Sequence, residues 1–256
     1  MATYPAGTPA WVDLASPDPD VSATFYKGLF GWEAVQIADP EESGGYRSFQ
    51  LDGQSVGGLS PLFQEGQPPM WTTYVYIDDA DATAAKITDA GGQLMMEPFD
   101  VMDLGRMAVF ADPTGAVCAI WQPKAHTGAD LKGETNSLVW NELHTRDPAQ
   151  AQEFYPAVFG WEREHMDIGD GAGYDMFKVS DPVAGMIAMD DSYPEGVPSF
   201  WLAYFGVEDV DERTAAAKDA GAQVRIAPRD IPGMGRFSVL ADPHGAFFAL
   251  WKVADQ

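Results

Sequence analysis

Two stretches of this chain are nearly the same: "VFADPTGAVCAIWQP", Val109 to Pro123, and "VLADPHGAFFALWKV", Val239 to Val253. In each, an apolar run meets Asp-Pro-x-Gly and a second apolar run follows. Asp caps such a turn, Pro fixes the next φ and Gly supplies a positive φ, so both stretches read as β-hairpins. The echo extends outward. "FYKGLFGW" (Phe25 to Trp32) returns as "FYPAVFGW" (Phe154 to Trp161), and "WVDL" at Trp11 returns as "WNEL" at Trp140, at an offset of 129. Trp71 and Trp201, Asp112 and Asp242, and Trp121 and Trp251 follow at an offset of 130. One residue gained between Trp161 and Trp201 accounts for the difference, and no other slip is expected. The period far exceeds that of solenoid repeats, so the chain is a tandem duplication.

Each copy reads alike. A strand (Ala10 to Ala15; Leu138 to His144) runs into Asp-Pro, with Asp18 or Asp147 as N-cap and Pro19 or Pro148 opening a helix. That helix ends at Gly31 or Gly160, where a left-handed residue is needed. Phe25, Tyr26, Leu29 and Phe30 fall on its buried face. "YRSFQL", a tight Asp52-Gly53 turn and "QSVGGLS" follow as strands. The pattern then restarts with "WTTYVYI", a helix capped from Asp79 and closed by Gly91, "QLMME", and the quoted hairpin. Each copy is therefore two βαβββ modules, four in the chain. Pro/Gly-rich segments join modules within a copy, and Gln122 to Asn136 joins the copies. The expected domains are 1–124 and 137–256, with 125–136 as linker.

The 256 residues carry 39 acids against 15 bases, a formal charge of −24. That field repels phosphate backbones and anionic membranes, which argues against nucleic-acid and membrane partners; it either favours cationic ligands or serves only as a solubilising surface. The single Cys118 makes no internal disulfide, and no secretory signal or membrane-length apolar run is seen, so a cytoplasmic protein is expected. Because the duplication already joins two halves, a monomer suffices, although a homodimer is also open.

Paired βαβββ modules, the helix ending "FYxxxFGW" and the "ADPxGA" hairpin together resemble the vicinal oxygen chelate superfamily. It includes glyoxalase I, extradiol dioxygenases, fosfomycin-modifying enzymes and bleomycin-binding proteins. "WVDL", "WNELHTRDP" and "MMEPFDV" with "GRM" are also similar to two-copy bacterial proteins labelled hydroxylase or glyoxalase-like. The resemblance implies an α+β fold of two tandem glyoxalase-like domains, each a curved sheet around a cup. It further implies metal ligands on the first strand of each module and near the end of the last strand. Matched residue by residue, those places hold Trp11 and Trp140, Thr72 and Leu202, and Ala119 and Ala249. None of these side chains is a good ligand for Zn²⁺, Fe²⁺ or Ni²⁺, so no metal site is expected.

Side chains alternate along a strand, so Asp13 shares a face with Trp11, as Glu142 and His144 do with Trp140. Asp13, Glu142 and His144 are the acid–base candidates; a structural hydrogen-bonded role is the competing reading. Trp11, Trp140, Thr72, Tyr74 and Tyr204 are the expected ligand-contacting residues, joined by Arg106 and Arg236, which match between repeats. Either arginine neutralises the acids or clamps an anionic ligand group. Met95, Met96, Met102 and Met107, with the eight Trp, offer either polarizable pocket walls or core. His126 and His165 read as surface residues without supporting partners, and His244 as an exposed turn residue opposite Thr114. Cys118, beside inward-facing Ala119, reads as outward-pointing and a poor nucleophile. Two functions remain open: metal-free binding of a small aromatic or hydrophobic molecule, cationic ones included, or metal-free acid–base catalysis by a lyase, isomerase or hydratase on a small-molecule or polyketide-like substrate. A flavin- or deazaflavin-assisted hydroxylase lacks support, since no Gly-rich phosphate loop is present and no cofactor is expected.

Overall fold

A computed structural model of the chain describes residues 4–167, 173–191 and 193–254. The first repeat runs β1 (Pro9–Ser16), α1 (Pro19–Phe30), β2 (Glu33–Gln36), a short α2 (Pro40–Ser43), β3 (Arg47–Leu51) and β4 (Gln54–Pro61). It continues through β5 (Met70–Tyr76), α3 (Ala80–Asp89), β6 (Gln93–Val101), β7 (Gly105–Ala111) and β8 (Val117–Pro123). The second repeats this as β9 (Leu138–Thr145), α4 (Pro148–Phe159), β10 (Glu162–Asp167), β11 (Gly173–Lys178) and β12 (Pro182–Ala188). It ends with β13 (Phe200–Gly206), α5 (Val210–Asp219), β14 (Gln223–Ile231), β15 (Gly235–Ala241) and β16 (Phe247–Val253). The strands form two eight-stranded mixed sheets, ordered β2-β3-β4-β1-β5-β8-β7-β6 and β10-β11-β12-β9-β13-β16-β15-β14. The fold is α+β, with two tandem glyoxalase-like repeats.

Local chemistry sets the element ends. Asp18 accepts from the backbone N–H groups of Asp20 and Val21, Pro19 opens α1, and Gly31 closes it at φ 78°. Asp147 and Gly160 do the same for α4. The Asp52-Gly53 turn holds positive φ at both residues, as a two-residue hairpin requires.

The repeats are less strictly in step than the Trp landmarks suggest. Asp13 on β1 lies opposite Gly58 on β4, and Glu142 on β9 lies opposite Gly185 on β12. The acids are offset by 129 but the glycines by only 127. Two residues have therefore been lost before β12. Three are then regained in the connection between β12 and β13, residues 189–199, where the first repeat has only 62–69. The single-gain reading missed this because compensating length changes leave the flanking tryptophans nearly in place.

Contacts divide the chain into two compact units that do not coincide with the repeats. One comprises Met1–Ala10, Thr73–Gly128 and Asn141–Trp201; the other comprises Trp11–Thr72, Ala129–Trp140 and Leu202–Gln256. In the second, Val12, Leu14, Phe25, Tyr26 and Phe30 pack with Phe205, Leu240 and Phe248. There the Tyr26 hydroxyl donates to Asp242 Oδ2 at 3.1 Å and accepts from Trp71 Nε1 at 3.0 Å. In the first unit Tyr155 donates to Asp112 Oδ2 at 2.7 Å and accepts from Trp201 Nε1 at 3.0 Å. Thus the "FY" helix of each repeat is bonded to the "ADPxG" turn of the other. The same aspartates accept from the turn's own backbone through Oδ1. This pairing gives both quoted stretches and both helices a common reason for their sequence.

Candidate functional site

Val12 and Leu14 lie in the helix-side core, so Trp11 and Asp13 occupy the other face of β1. Trp11 Nε1 donates to Asp13 Oδ1 at 2.5 Å, and the Tyr46 hydroxyl donates to the same oxygen at 2.6 Å. Trp11 also reaches the Tyr46 oxygen at 3.1 Å. Gly58 lies beneath this cluster: a Cβ there would stand 1.9 Å from Asp13 Oδ1 and 2.0 Å from Tyr46 Oη. Asp13 is held as a hydrogen-bond acceptor by two donors, which accounts for an acid on a buried face. Tyr46 was not among the residues expected here, although its counterpart in "YDMF", Tyr174, echoes it.

The second repeat builds something different. Leu143 belongs to the helix-side core, which leaves Glu142 and His144 on the opposite face of β9. Both are buried. His144 Nε2 lies 2.9 Å from Glu142 Oε1. The two atoms are close, but the buried Nε2 makes no directed hydrogen bond. His144 Nδ1 shares a 2.7 Å hydrogen bond with the hydroxyl of Tyr193. The imidazole stacks on Phe200, with centroids 4.7 Å apart and planes within 7°. Carboxylate, imidazole and phenol thus form one series, its ring fixed by stacking. Tyr193 lies in the longer second-repeat connection and was not among the expected residues; its counterpart at the offset of 130 is Phe63, an aromatic ring without the hydroxyl.

The residues at the places where the resemblance implies metal ligands do not fit a divalent ion. Trp11 Nε1 is an engaged donor, and Ala119 and Ala249, paired with Tyr74 and Tyr204 in the parallel β5–β8 and β13–β16 ladders, have no donor atom. Among the described residues, no three His, Cys, Asp or Glu side chains converge as a ligand set.

Arg106 and Arg236 do not meet the strand acids. Arg106 makes two 2.9 Å hydrogen bonds to Asp81 and lies 3.6 Å from Asp100. Arg236 bonds Asp211 at 2.6 and 2.8 Å and Asp230 at 2.9 Å. Ala108 and Phe110, two and four residues on from Arg106, sit in the helix-side core, so alternation carries this arginine to the α3 side. Each guanidinium holds the adjacent Asp81 or Asp211 carboxyl below the ordinary range. The ligand-clamp and acid-neutralising readings of both arginines are overturned, because their forks are spent on the first turn of the neighbouring helix.

Other expectations also shift. His165 is exposed but does have a partner, Asp175 at 2.8 Å. His126 and His244 are half-buried instead of exposed. Cys118 is fully buried in the helix-side core, where desolvation pushes its thiol well up. The eight tryptophans divide evenly. Trp32, Trp71, Trp161 and Trp201 are helix-side core, whereas Trp11, Trp121, Trp140 and Trp251 alternate onto the other sheet faces. Within the second unit Tyr204 and Phe237 both meet Trp251, at 6.4 and 6.5 Å between ring centroids. Met107 is buried, but Met95, Met96 and Met102 are exposed and form no wall. Two clefts of about 250 and 510 Å³ lie beside α3 and α1, and no expected site residue lines either.

Among curated proteins, the chain is 44% identical over 256 residues to Mycobacterium tuberculosis CFP32, whose name assigns it only provisionally as a glyoxylase; the match covers 99% of this chain and 97% of that protein. It is 39% identical over 270 residues to the anthracycline biosynthesis protein DnrV of Streptomyces peucetius, covering 100% and 96%. In fold it is similar to the Mn(II)-bound glyoxalase of Novosphingobium aromaticivorans, with TM-score 0.66, 18% identity, and 98% and 84% of the two chains covered. The 2,3-dioxygenase LapB of Pseudomonas sp. KL28 gives TM-score 0.61 at 15% identity, covering 96% and 92%. The glyoxalase/bleomycin resistance protein/dioxygenase superfamily model matches residues 8–120 and 137–250. The chain belongs to that superfamily, whose model it matches twice.

Proposed function

We propose that this protein binds a small, flat aromatic or hydrophobic molecule without a metal ion. The observation that carries this reading is the exchange of metal-ligand positions for aromatic and apolar ones: Trp11 and Trp140 stand where ligands are implied, with Tyr74 and Tyr204 beside the alanines. Apolar walls with a few convergent polar groups suit planar organic ligands. The formal charge of −24 favours a cationic one. The name of DnrV, a protein of anthracycline biosynthesis, points to a polycyclic aromatic class. Titration of the eight Trp with anthraquinone and acridine dyes in excess EDTA tests the reading. Saturable quenching, weakened at least about tenfold by Tyr204→Ala, supports it; no saturable quenching with either dye contradicts it.

A second reading is favoured by one observation, the series Glu142, His144 and Tyr193: metal-free acid–base chemistry on a polyketide-like substrate, as in a lyase, isomerase or hydratase. Glu142→Gln and Asp13→Asn separate the readings. Binding without turnover survives both, whereas acid–base turnover falls about a hundredfold or more with Glu142→Gln.

A further inference from the structure

The two repeats keep an acid at one place on their first strand and treat it differently. In the first, Asp13 is tied by Trp11 and Tyr46, and Ala15 stands where the second repeat has His144. In the second, a connection three residues longer brings Tyr193 onto His144. Length, residue type and placement all change together in one repeat only, which a solvated surface loop has no reason to do.

We infer that Tyr193, His144 and Glu142 form a proton relay that takes the proton of an acidic phenolic or enolic hydroxyl on the bound molecule. The inference rests on the binding reading above and deepens it by naming the ligand's chemistry. Geometry orders the parts as carboxylate, imidazole and hydroxyl, with 2.9 Å from Oε1 to Nε2 and 2.7 Å from Nδ1 to Oη. In this order the carboxylate stands beside the ring nitrogen remote from Tyr193, and Nδ1 is placed to accept from the hydroxyl. Stacking on Phe200 holds the ring plane, so Nδ1 keeps facing Tyr193. Tyr193 is half-buried, the outermost of the three, whereas His144 and Glu142 are buried.

The transfer balances without any co-reactant. The ligand O–H bond breaks and its proton joins Tyr193 Oη, while the Tyr193 proton passes to His144 Nδ1. The products are a ligand phenolate or enolate, a neutral tyrosine, and an imidazolium beside the Glu142 carboxylate. That imidazolium lies with Nε2 2.9 Å from Glu142 Oε1.

The test uses the full chain and the dye alizarin, whose phenol and phenolate absorb at different wavelengths. Spectra are read at saturating protein, so changes in affinity do not enter, and at a pH about one unit below the free dye's own ionisation. Bound dye is expected mainly as phenolate, and Tyr193→Phe, His144→Gln or Glu142→Gln each to lower the phenolate-to-phenol ratio about tenfold. Bound dye that stays a phenol, or variants that match the parent spectrum, overturns the relay. The ¹⁵N-histidine NMR spectrum of the ligand-free protein provides a separate check. His144 is expected as the Nε2–H tautomer, with Nδ1 accepting; an Nδ1–H tautomer overturns the relay whether or not dye binds. Absence of dye binding with the Nε2–H tautomer present counts against the aromatic-ligand reading alone.

Discussion

Gly58 shows how a single residue controls a site. A methyl group there would fall 1.9 Å from Asp13 Oδ1, so Gly58→Ala must push Asp13, Tyr46 or both off their present positions. The expected cost is roughly 1–3 kcal/mol in denaturant unfolding, with altered Trp11 fluorescence; unchanged stability and emission would show that the cluster does not rest on that close approach. Tyr26 and Tyr155 make a second case. Burial, together with the neighbouring Asp242 or Asp112, raises both phenols well above the ordinary tyrosine range. Their contribution is fully present below about pH 10, where an unfolded tyrosine begins to ionise, and is lost as pH rises beyond that. The double variant Tyr26→Phe, Tyr155→Phe should lower neutral-pH stability by roughly 1–3 kcal/mol per site and flatten the alkaline decline. An alkaline decline as steep as the parent's would contradict it. In the sequence, Asp112 and Asp242 were legible as turn caps, and Tyr26 as a buried helix residue. That each tyrosine bonds the other repeat's aspartate was not legible, because one sequence encodes local turns but not which copy packs on which.

At the scale of elements, the strands, helices and caps were legible because period-2 and period-3.6 patterns meet Asp-Pro starts and Gly stops. The short helix Pro40–Ser43 was missed; one turn offers too few residues for a period. The arginines of β7 and β15 were misread for a different reason. Their matched positions suggested a site, but what matched was an ion pair to the first turn of α3 or α5. Another arginine shows where the repeats differ: Arg213 on α5 donates to the Leu29 carbonyl in the last turn of α1, while the matching position on α3 is Thr83. Arg213→Ala should cost roughly 1–2 kcal/mol and speed amide exchange at the end of α1. Unchanged exchange there would remove any role for this cap. Tyr193 marks the limit of reading by repeats: it matches Phe63 at the offset of 130, so the repeat offers an aromatic ring there but not the hydroxyl that meets His144.

For the whole molecule, duplication explains both the two-sheet fold and the way each compact unit draws on both repeats. It also lets the copies diverge, one tying its acid down in a Trp–Tyr cluster and the other joining its acid to imidazole and phenol. The places at which the resemblance implies metal ligands carry Trp, Thr, Leu and Ala, and the proposed function depends on those residues holding no metal ion. The most direct test is equilibrium dialysis of EDTA-treated protein against Mn²⁺, Zn²⁺ and Ni²⁺, with bound metal counted per chain. The proposal predicts no stoichiometric uptake at micromolar free metal and the same dye quenching before and after dialysis. One tightly held ion per repeat, with dye binding or turnover appearing only when it is present, would contradict it.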